Sequence, residues 1–122
     1  MTLEETAEVP LELSAWFKAQ GKKYRVILVD CLTMWLSNHC ERGAKDKDII
    51  DETKTLLRAI RRSNARVALV SNELGMGLVP ADRQSRRFRE LAGEINRLVA
   101  EAADDAYFVV SGMALPLKGQ RR

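Results

Sequence analysis

The sequence predicts an α/β protein in which a small parallel sheet is flanked by helices. Short apolar runs at 24–30, 66–72 and 106–111 have the length and β-branched content of buried parallel strands. Between the first two runs, Ile49, Ile50, Thr53, Leu56, Leu57 and Ile60 recur at helical spacing, and between the last two Phe88, Leu91, Ala92, Ile95, Leu98, Val99 and Ala102 do the same. Strand–helix alternation of this kind implies right-handed crossovers and a sheet whose strands run in one direction. The expected core is therefore three parallel strands.

The remaining elements follow in order. Leu11, Leu13, Trp16 and Phe17 suggest a helix opening near Pro10, since proline is tolerated in a first turn. Gly21-Lys22-Lys23 reads as a turn with charged flanks before the first strand. Residues 32–40 form a short helix and 41–46 a loop. Helices are expected over about 47–62 and 81–103. Gly93 falls inside the second of these, where glycine costs ~1 kcal/mol relative to alanine, so close packing against a neighbour is expected there. A further strand is expected through 115–118, with Pro116 confining it to an edge. Repeats, linkers and low-complexity segments are absent; the end is a basic tail over 118–122.

Composition narrows the class. The chain has 122 residues, 46% hydrophobic and 30% charged, ordinary for one soluble globular domain. A formal net charge of +3 is too slight to imply a nucleic-acid partner. Cys31 and Cys40 sit in or beside an apolar segment and read as reduced packing thiols rather than a disulfide. No apolar stretch approaches the ~18 residues of a membrane span, and the acidic pair Glu4-Glu5 is unlike a signal peptide. A cytoplasmic protein without membrane or nucleic-acid partners is expected.

The most informative segment is 67–80, Val-Ala-Leu-Val-Ser-Asn-Glu-Leu-Gly-Met-Gly-Leu-Val-Pro. An apolar run stops at Ser71-Asn72, a carboxylate (Glu73) follows, and then Gly75-x-Gly77. Open α/β sheets bind ligands beyond the carboxyl ends of their strands. The expected site therefore gathers Asn72, Glu73, Gly75 and Gly77 with Asp30 and the end of the third run, Ser111-Gly112, at one sheet edge. Gly75 and Gly77 are expected to allow positive φ or close backbone approach to a ligand.

Taken together, residues 72–80, the stretch 86–96 (Arg-Arg-Phe-Arg-Glu-Leu-Ala-Gly-Glu-Ile-Asn), Val109-Val-Ser-Gly112, the stretch 29–38 and Thr6-Ala-Glu8 closely resemble one enzyme family. It is the bifunctional adenosylcobinamide kinase/adenosylcobinamide-phosphate guanylyltransferase family of cobalamin synthesis. The resemblance runs from about Thr6 to Lys118 in the family's order. It implies a P-loop-NTPase-like (RecA-like) fold, GTP or ATP with Mg²⁺, adenosylcobinamide or its phosphate as substrate, and a homo-oligomer.

Two family features are missing from this sequence. No G-x-x-x-x-G-K-[ST] phosphate loop is present, since Gly21-Lys22-Lys23 lacks the leading glycine and the hydroxyl residue and precedes a strand. The only histidine, His39, follows the Asp30 strand, whereas the family's guanylylated histidine precedes it. The resemblance thus implies the C-terminal two-thirds of the enzyme: a single nucleotide-binding domain over 1–122, truncated at its N-terminus and not active alone. The alternatives are a non-catalytic binding or assembly paralogue, or a split half that completes its fold with another chain.

By resemblance, Asp30 and Glu8 contact the guanine nucleotide. Asp30 also follows four apolar residues, as a Walker-B-like acid does, and such an acid orients Mg²⁺ or its water shell. The competing reading of Asp30 is a cap on the helix beginning near Leu32. Arg83, Arg86, Arg87 and Arg89 place four guanidiniums near the start of the long helix. They form either a solvated or subunit-contact face, aided by Arg86–Glu90 and Glu94–Arg97 pairs, or a reach toward phosphate. Trp16 and Trp35 read as core or interface aromatics, and His39 as a helix-end residue.

Overall fold

A computed structural model describes residues 5–119; Glu4 of the acidic start and residues 120–122 of the basic tail lie outside them. In chain order the elements are α1 (Leu13–Gln20), a 3-10 turn (Gly21–Lys23), β1 (Val26–Asp30), α2 (Leu32–Glu41), α3 (Asp46–Ser63), β2 (Arg66–Val70), α4 (Arg83–Ala102), β3 (Ala106–Val110) and β4 (Met113–Lys118). β1 and β2 pair in parallel, Val26 opposite Arg66 and Asp30 opposite Val70. Both strands thus end level at one carboxyl edge.

The helices form for local reasons and are held by packing. α3 ends at Asn64, whose left-handed conformation (φ 61°) terminates the helix. Gly21 fits against that end because a Cβ there would lie 2.8 Å from the Ser63 Cβ. α4 starts at Asp82, whose carboxylate accepts from the Ser85 backbone N–H at 2.9 Å and so caps the first turn.

Two apolar clusters form the core. The larger joins Leu13 and Phe17 of α1 with Ile27 of β1, Leu32 and Trp35 of α2, and Leu56 and Ala59 of α3. The smaller joins Leu36 of α2 and Ile49 of α3 with Leu91, Ala92 and Ile95 of α4. Trp35 is core: 3% of its surface is exposed, and its indole N–H donates to the Leu11 carbonyl at 3.0 Å. Thr53 is fully buried and satisfies its hydroxyl on the Ile49 carbonyl one turn back.

The expected three-stranded parallel sheet is not what forms. β3 makes no ladder with β1 or β2; it pairs antiparallel with β4 in a separate two-stranded sheet. Ser111-Gly112, expected at the shared carboxyl edge, is instead the turn of this hairpin. Both residues have positive φ (53° and 74°), which two-residue hairpin turns of the tightest kind require. Pro116 lies opposite Tyr107, next to a register shift, where a missing N–H is tolerated. The hairpin is tied to α4 by the Lys118 ammonium, which donates to the Ala100 and Glu101 carbonyls at 3.1 and 2.7 Å.

Gly93 is a second correction. A Cβ there would meet nothing within 4 Å, so this glycine opens onto solvent instead of packing against a neighbour.

Candidate functional site

The carboxyl edge of β1–β2 is organised by three polar side chains, Thr33 of α2, Asn96 of α4 and Ser71 of the segment that follows β2, together with the Asn72 backbone. The Ser71 hydroxyl donates to Asn96 Oδ1 of α4 at 2.6 Å, and Asn96 Nδ2 donates to the Asn72 carbonyl at 3.1 Å. The Asn72 N–H donates to Thr33 Oγ1 of α2 at 2.9 Å, and Thr33 and Ser71 hydroxyls lie 3.4 Å apart. Since the Ser71 proton is committed to Asn96, Thr33 is the donor in that last contact. The network fixes the backbone at the end of β2 relative to the first turn of α2 and the middle of α4.

Asp30 stands on this edge, opposite Val70. Its side chain is exposed and has no hydrogen bond or ion pair among the described residues. It does not cap α2: the cap position is Cys31, and no side chain caps there. An uncommitted carboxylate beside an ordered polar strand end is available to a cation or a ligand donor.

The other expected site residues are distributed less tightly. Asn72 belongs to the network through its backbone. Glu73 turns back on its own loop, where Oε1 accepts from the Gly75 N–H at 2.6 Å. Gly75 is needed for that approach, since a Cβ would lie 2.8 Å from the same oxygen. Neither Gly75 nor Gly77 has positive φ; the described glycines that do are Gly43, Gly112 and Gly119. A Cβ on Gly77 would meet only the Leu74 carbonyl, at 3.8 Å. Glu8 is exposed on an extended segment that is pinned to α2 by Asn38, whose Nδ2 donates to the Pro10 carbonyl at 3.0 Å. Among the described residues no hydrogen bond links Glu8 to Asp30.

Two of the four arginines serve the loop. Arg89 donates to the carbonyls of Leu78 (3.0 Å) and Gly75 (2.5 Å), and Arg86 to those of Pro80 (3.2 Å) and Ala81 (2.5 Å). Arg87 pairs with Asp46 at 2.5 Å, which raises its already high pKa. The expected Arg86–Glu90 pair does not form because Arg86 is occupied by the loop carbonyls. Arg97 does pair with Glu94, and also with Glu101. Arg83 has no such partner among the described residues.

An open cleft of about 560 Å³ lies between α2 and α4 beneath the loop, walled by Cys40, Leu74, Leu78, Phe88 and Arg89 among others. Neither Asp30 nor Asn72 reaches it. Burial pushes the Cys40 thiol up from its ordinary pKa, and both cysteines are free. His39 lies in the last turn of α2 with its ring edge-on to Trp35, and its buried Nε2 has no hydrogen-bond partner among the described residues. No group of three or more potential metal-ligating side chains occurs among the described residues. None of the described helices is long and apolar enough to cross a membrane.

Sequence reasoning missed Thr33 and Asn96. Thr33 carries a weak signal, a hydroxyl residue in the first turn after a strand end. Asn96 carries a weaker one, a lone amide beside the apolar stripe of α4.

A family profile described as cobinamide kinase / cobinamide phosphate guanyltransferase matches residues 4–117. The chain belongs to that family. It is 39% identical over 118 residues to the bifunctional adenosylcobalamin biosynthesis protein CobP of Pseudomonas aeruginosa, covering 94% of this chain and 66% of that relative. Against the bifunctional adenosylcobalamin biosynthesis protein CobU of Salmonella typhimurium, identity is 35% over 125 residues, covering 93% and 69%. The Escherichia coli protein of the same name is 37% identical over 105 residues, covering 76% of this chain and 58% of the relative. The chain thus spans about two-thirds of the length of the first two relatives and 58% of the third.

Proposed function

We propose that this chain serves cobalamin biosynthesis as a portion of the enzyme that phosphorylates adenosylcobinamide and transfers GMP from GTP to adenosylcobinamide phosphate. The family match across residues 4–117 carries this reading. The uncommitted Asp30 carboxylate beside the ordered Ser71-Asn72 strand end supports placing the nucleotide there. In the same reading the domain is P-loop-NTPase-like (RecA-like), and copies associate into a homo-oligomer through the exposed face of α4.

The residues present suit a magnesium–nucleotide complex better than a protein-only metal cage. Mg²⁺ keeps several waters and takes one or two carboxylates plus phosphate oxygens. Asp30 would be that carboxylate. Bound Mg²⁺ would supply charge neutralisation at the phosphates, while Asn72 and the loop carrying Glu73, Gly75 and Gly77 border the nucleotide and Glu8 adds a further carboxylate contact. The substrate is adenosylcobinamide or its phosphate.

By itself the chain is expected to be catalytically poor. Phosphoryl transfer rests on positioning and on backbone N–H groups and a lysine that cradle the β/γ-phosphates, and this sequence has no such loop. His39 is a poor replacement nucleophile, since its Nε2 is buried. Incubation with labelled GTP and Mg²⁺ followed by denaturing gel analysis tests this. The expected result is no acid-labile covalent GMP, together with weak Mg²⁺-dependent GTP binding that falls tenfold or more in Asp30→Asn. Stoichiometric label on His39, or binding indifferent to Asp30, would overturn it.

A further inference from the structure

The loop after β2 is built inside out. A connecting segment ordinarily turns its polar backbone to water and tucks its larger apolar side chains away. Over 75–81 the reverse holds. The carbonyls of Gly75 and Leu78 accept from Arg89, those of Pro80 and Ala81 accept from Arg86, and the Gly75 N–H is taken by Glu73. Leu74 anchors the loop on the core cluster of α2, α3 and α4. Met76, Leu78 and Val79 meanwhile stand 76%, 97% and 73% exposed. Two guanidiniums hold the backbone in the shape that presents these three side chains, so the apolar tip is a formed surface.

The surroundings of the tip decide what it takes. Leu78 also stands on the rim of the cleft between α2 and α4, whose walls combine the apolar Leu74 and Phe88 with the neutral polar Ser37, Gln84 and Ser85. Of the charged groups on that rim, Arg87 is paired with Asp46 and Arg89 holds the loop carbonyls, while Glu41 has no partner among the described residues. A ligand with a broad apolar face, uncharged hydrogen-bonding groups at its edge and a net positive charge meets all of these. A bilayer fits less well. Membrane-seeking tips are fringed by free cations that meet anionic headgroups, whereas here Arg86, Arg87 and Arg89 are all committed within the chain. The loop also leaves the sheet at Asn72, on the edge where the nucleotide is proposed to lie, so a ligand on the tip sits within one loop of the nucleotide.

We infer that the tip formed by Met76, Leu78 and Val79, with the cleft rim beneath it, is the seat of the corrin ring. The inference rests on the substrate reading given above and deepens it by assigning that substrate a place apart from Asp30. Cobinamide is a broad macrocycle with apolar faces, carboxamides around its edge and a net positive charge. The ring face lies on the three exposed side chains, the edge amides meet Ser37, Gln84 and Ser85, and Glu41 balances the charge. The hydroxyl-bearing arm is then free to follow the loop back toward Asn72. Arg86 and Arg89 are positioning residues in this arrangement, acting through the loop backbone that they hold.

The test uses the full chain and adenosylcobinamide, without nucleotide, in equilibrium dialysis followed by corrin absorption. Binding is expected, and Met76→Ser and Leu78→Ser are each expected to weaken it at least tenfold, because each removes a large apolar contact. Leu28→Ser, which removes an exposed apolar side chain from the sheet instead, is expected to leave it unchanged. Both tip variants replace exposed residues and are expected to keep the parent's circular dichroism. Corrinoid binding that ignores both tip variants, or that Leu28→Ser weakens as much, overturns the inference and leaves the substrate reading standing. Absence of corrinoid binding overturns both. Tip-dependent corrinoid binding together with GTP binding indifferent to Asp30 upholds the inference and removes only the nucleotide placement. The inference also falls if Leu78→Ser abolishes co-sedimentation with phosphatidylcholine–phosphatidylglycerol vesicles, or dissolves a homodimer seen by light scattering, since the tip would then belong to a membrane or to a second copy.

Discussion

Replacing Asn96 by alanine removes two hydrogen bonds at once: the one it accepts from Ser71 at 2.6 Å and the one it donates to the Asn72 carbonyl at 3.1 Å. A hydrogen bond exchanged with water is worth roughly 0.5–1.5 kcal/mol net. Both lie on a partly solvated edge, so the lower half of that range applies, giving about 1.5 kcal/mol for the pair. In a domain of this size that is a fall of about 5–8 °C in Tm. In urea the midpoint falls by about 0.5–1 M at unchanged slope. The sharper assay is a double-mutant cycle with Ser71→Ala. Both changes cut the same bond, so the double variant is expected to be less destabilised than the sum of the singles by ~0.5–1 kcal/mol. Additivity within ~0.3 kcal/mol would show that the two side chains act independently, and the network would not be what orders the strand end.

Gly93→Ala is expected to stabilise the chain by ~0.5–1 kcal/mol in chemical denaturation, because alanine suits a helix interior and its Cβ meets nothing within 4 Å; destabilisation would mean that the site is packed after all. The hydrogen bond from Ser85 holds the Asp82 carboxyl below its ordinary 3.8. A depressed folded-state pKa gives stability that is present above the unfolded value and lost as pH falls through the folded one. Asp82→Ala should therefore lower Tm at neutral pH and flatten its decline below about pH 4, and an unchanged acid limb would contradict the cap. Arg89→Ala should speed amide exchange and proteolysis within the 73–80 loop, because two of its carbonyls lose their donor, while leaving exchange in α3 unchanged.

Much of this architecture is legible in the chain because it rests on periodicity. The stripes of α3 and α4 repeat at helical spacing for four to five turns, and each helix is found within a few residues of its expected ends. The runs before Asp30 and Ser71 are found in the same way. Pairing is less legible, because an apolar run reports burial and not its partner. The run at 106–110 looks like the other two, yet the Ser111-Gly112 turn sends the chain straight back to pair with 113–118. Gly112 between two apolar runs is compatible with a tight hairpin turn, but the α/β pattern around it points to a third parallel strand.

At the site, Asp30 was legible from four apolar residues ending in an acid, and Ser71-Asn72 from the polar stop of the next run. Glu73, Gly75 and Gly77 read as one ligand loop, but the pairing of Glu73 with the Gly75 N–H depends on side-chain direction that spacing does not encode. The arginines were ambiguous for the same reason. A run of four on a helix start suggests anions, and only the folded loop shows that Arg86 and Arg89 are taken up by backbone carbonyls.

The central claim, that the Asp30 edge is the nucleotide and metal end of this domain, is tested most directly by paramagnetic broadening with Mn²⁺ standing in for Mg²⁺. Titration of the ¹⁵N-labelled chain with Mn²⁺ and GTP should broaden amides over 29–33 and 70–73 first, and Asp30→Asn should abolish that focus. Broadening centred instead on the acidic start of α3, at Asp46, Asp48 and Asp51, and unaffected by Asp30→Asn, would place the cation elsewhere and contradict the account.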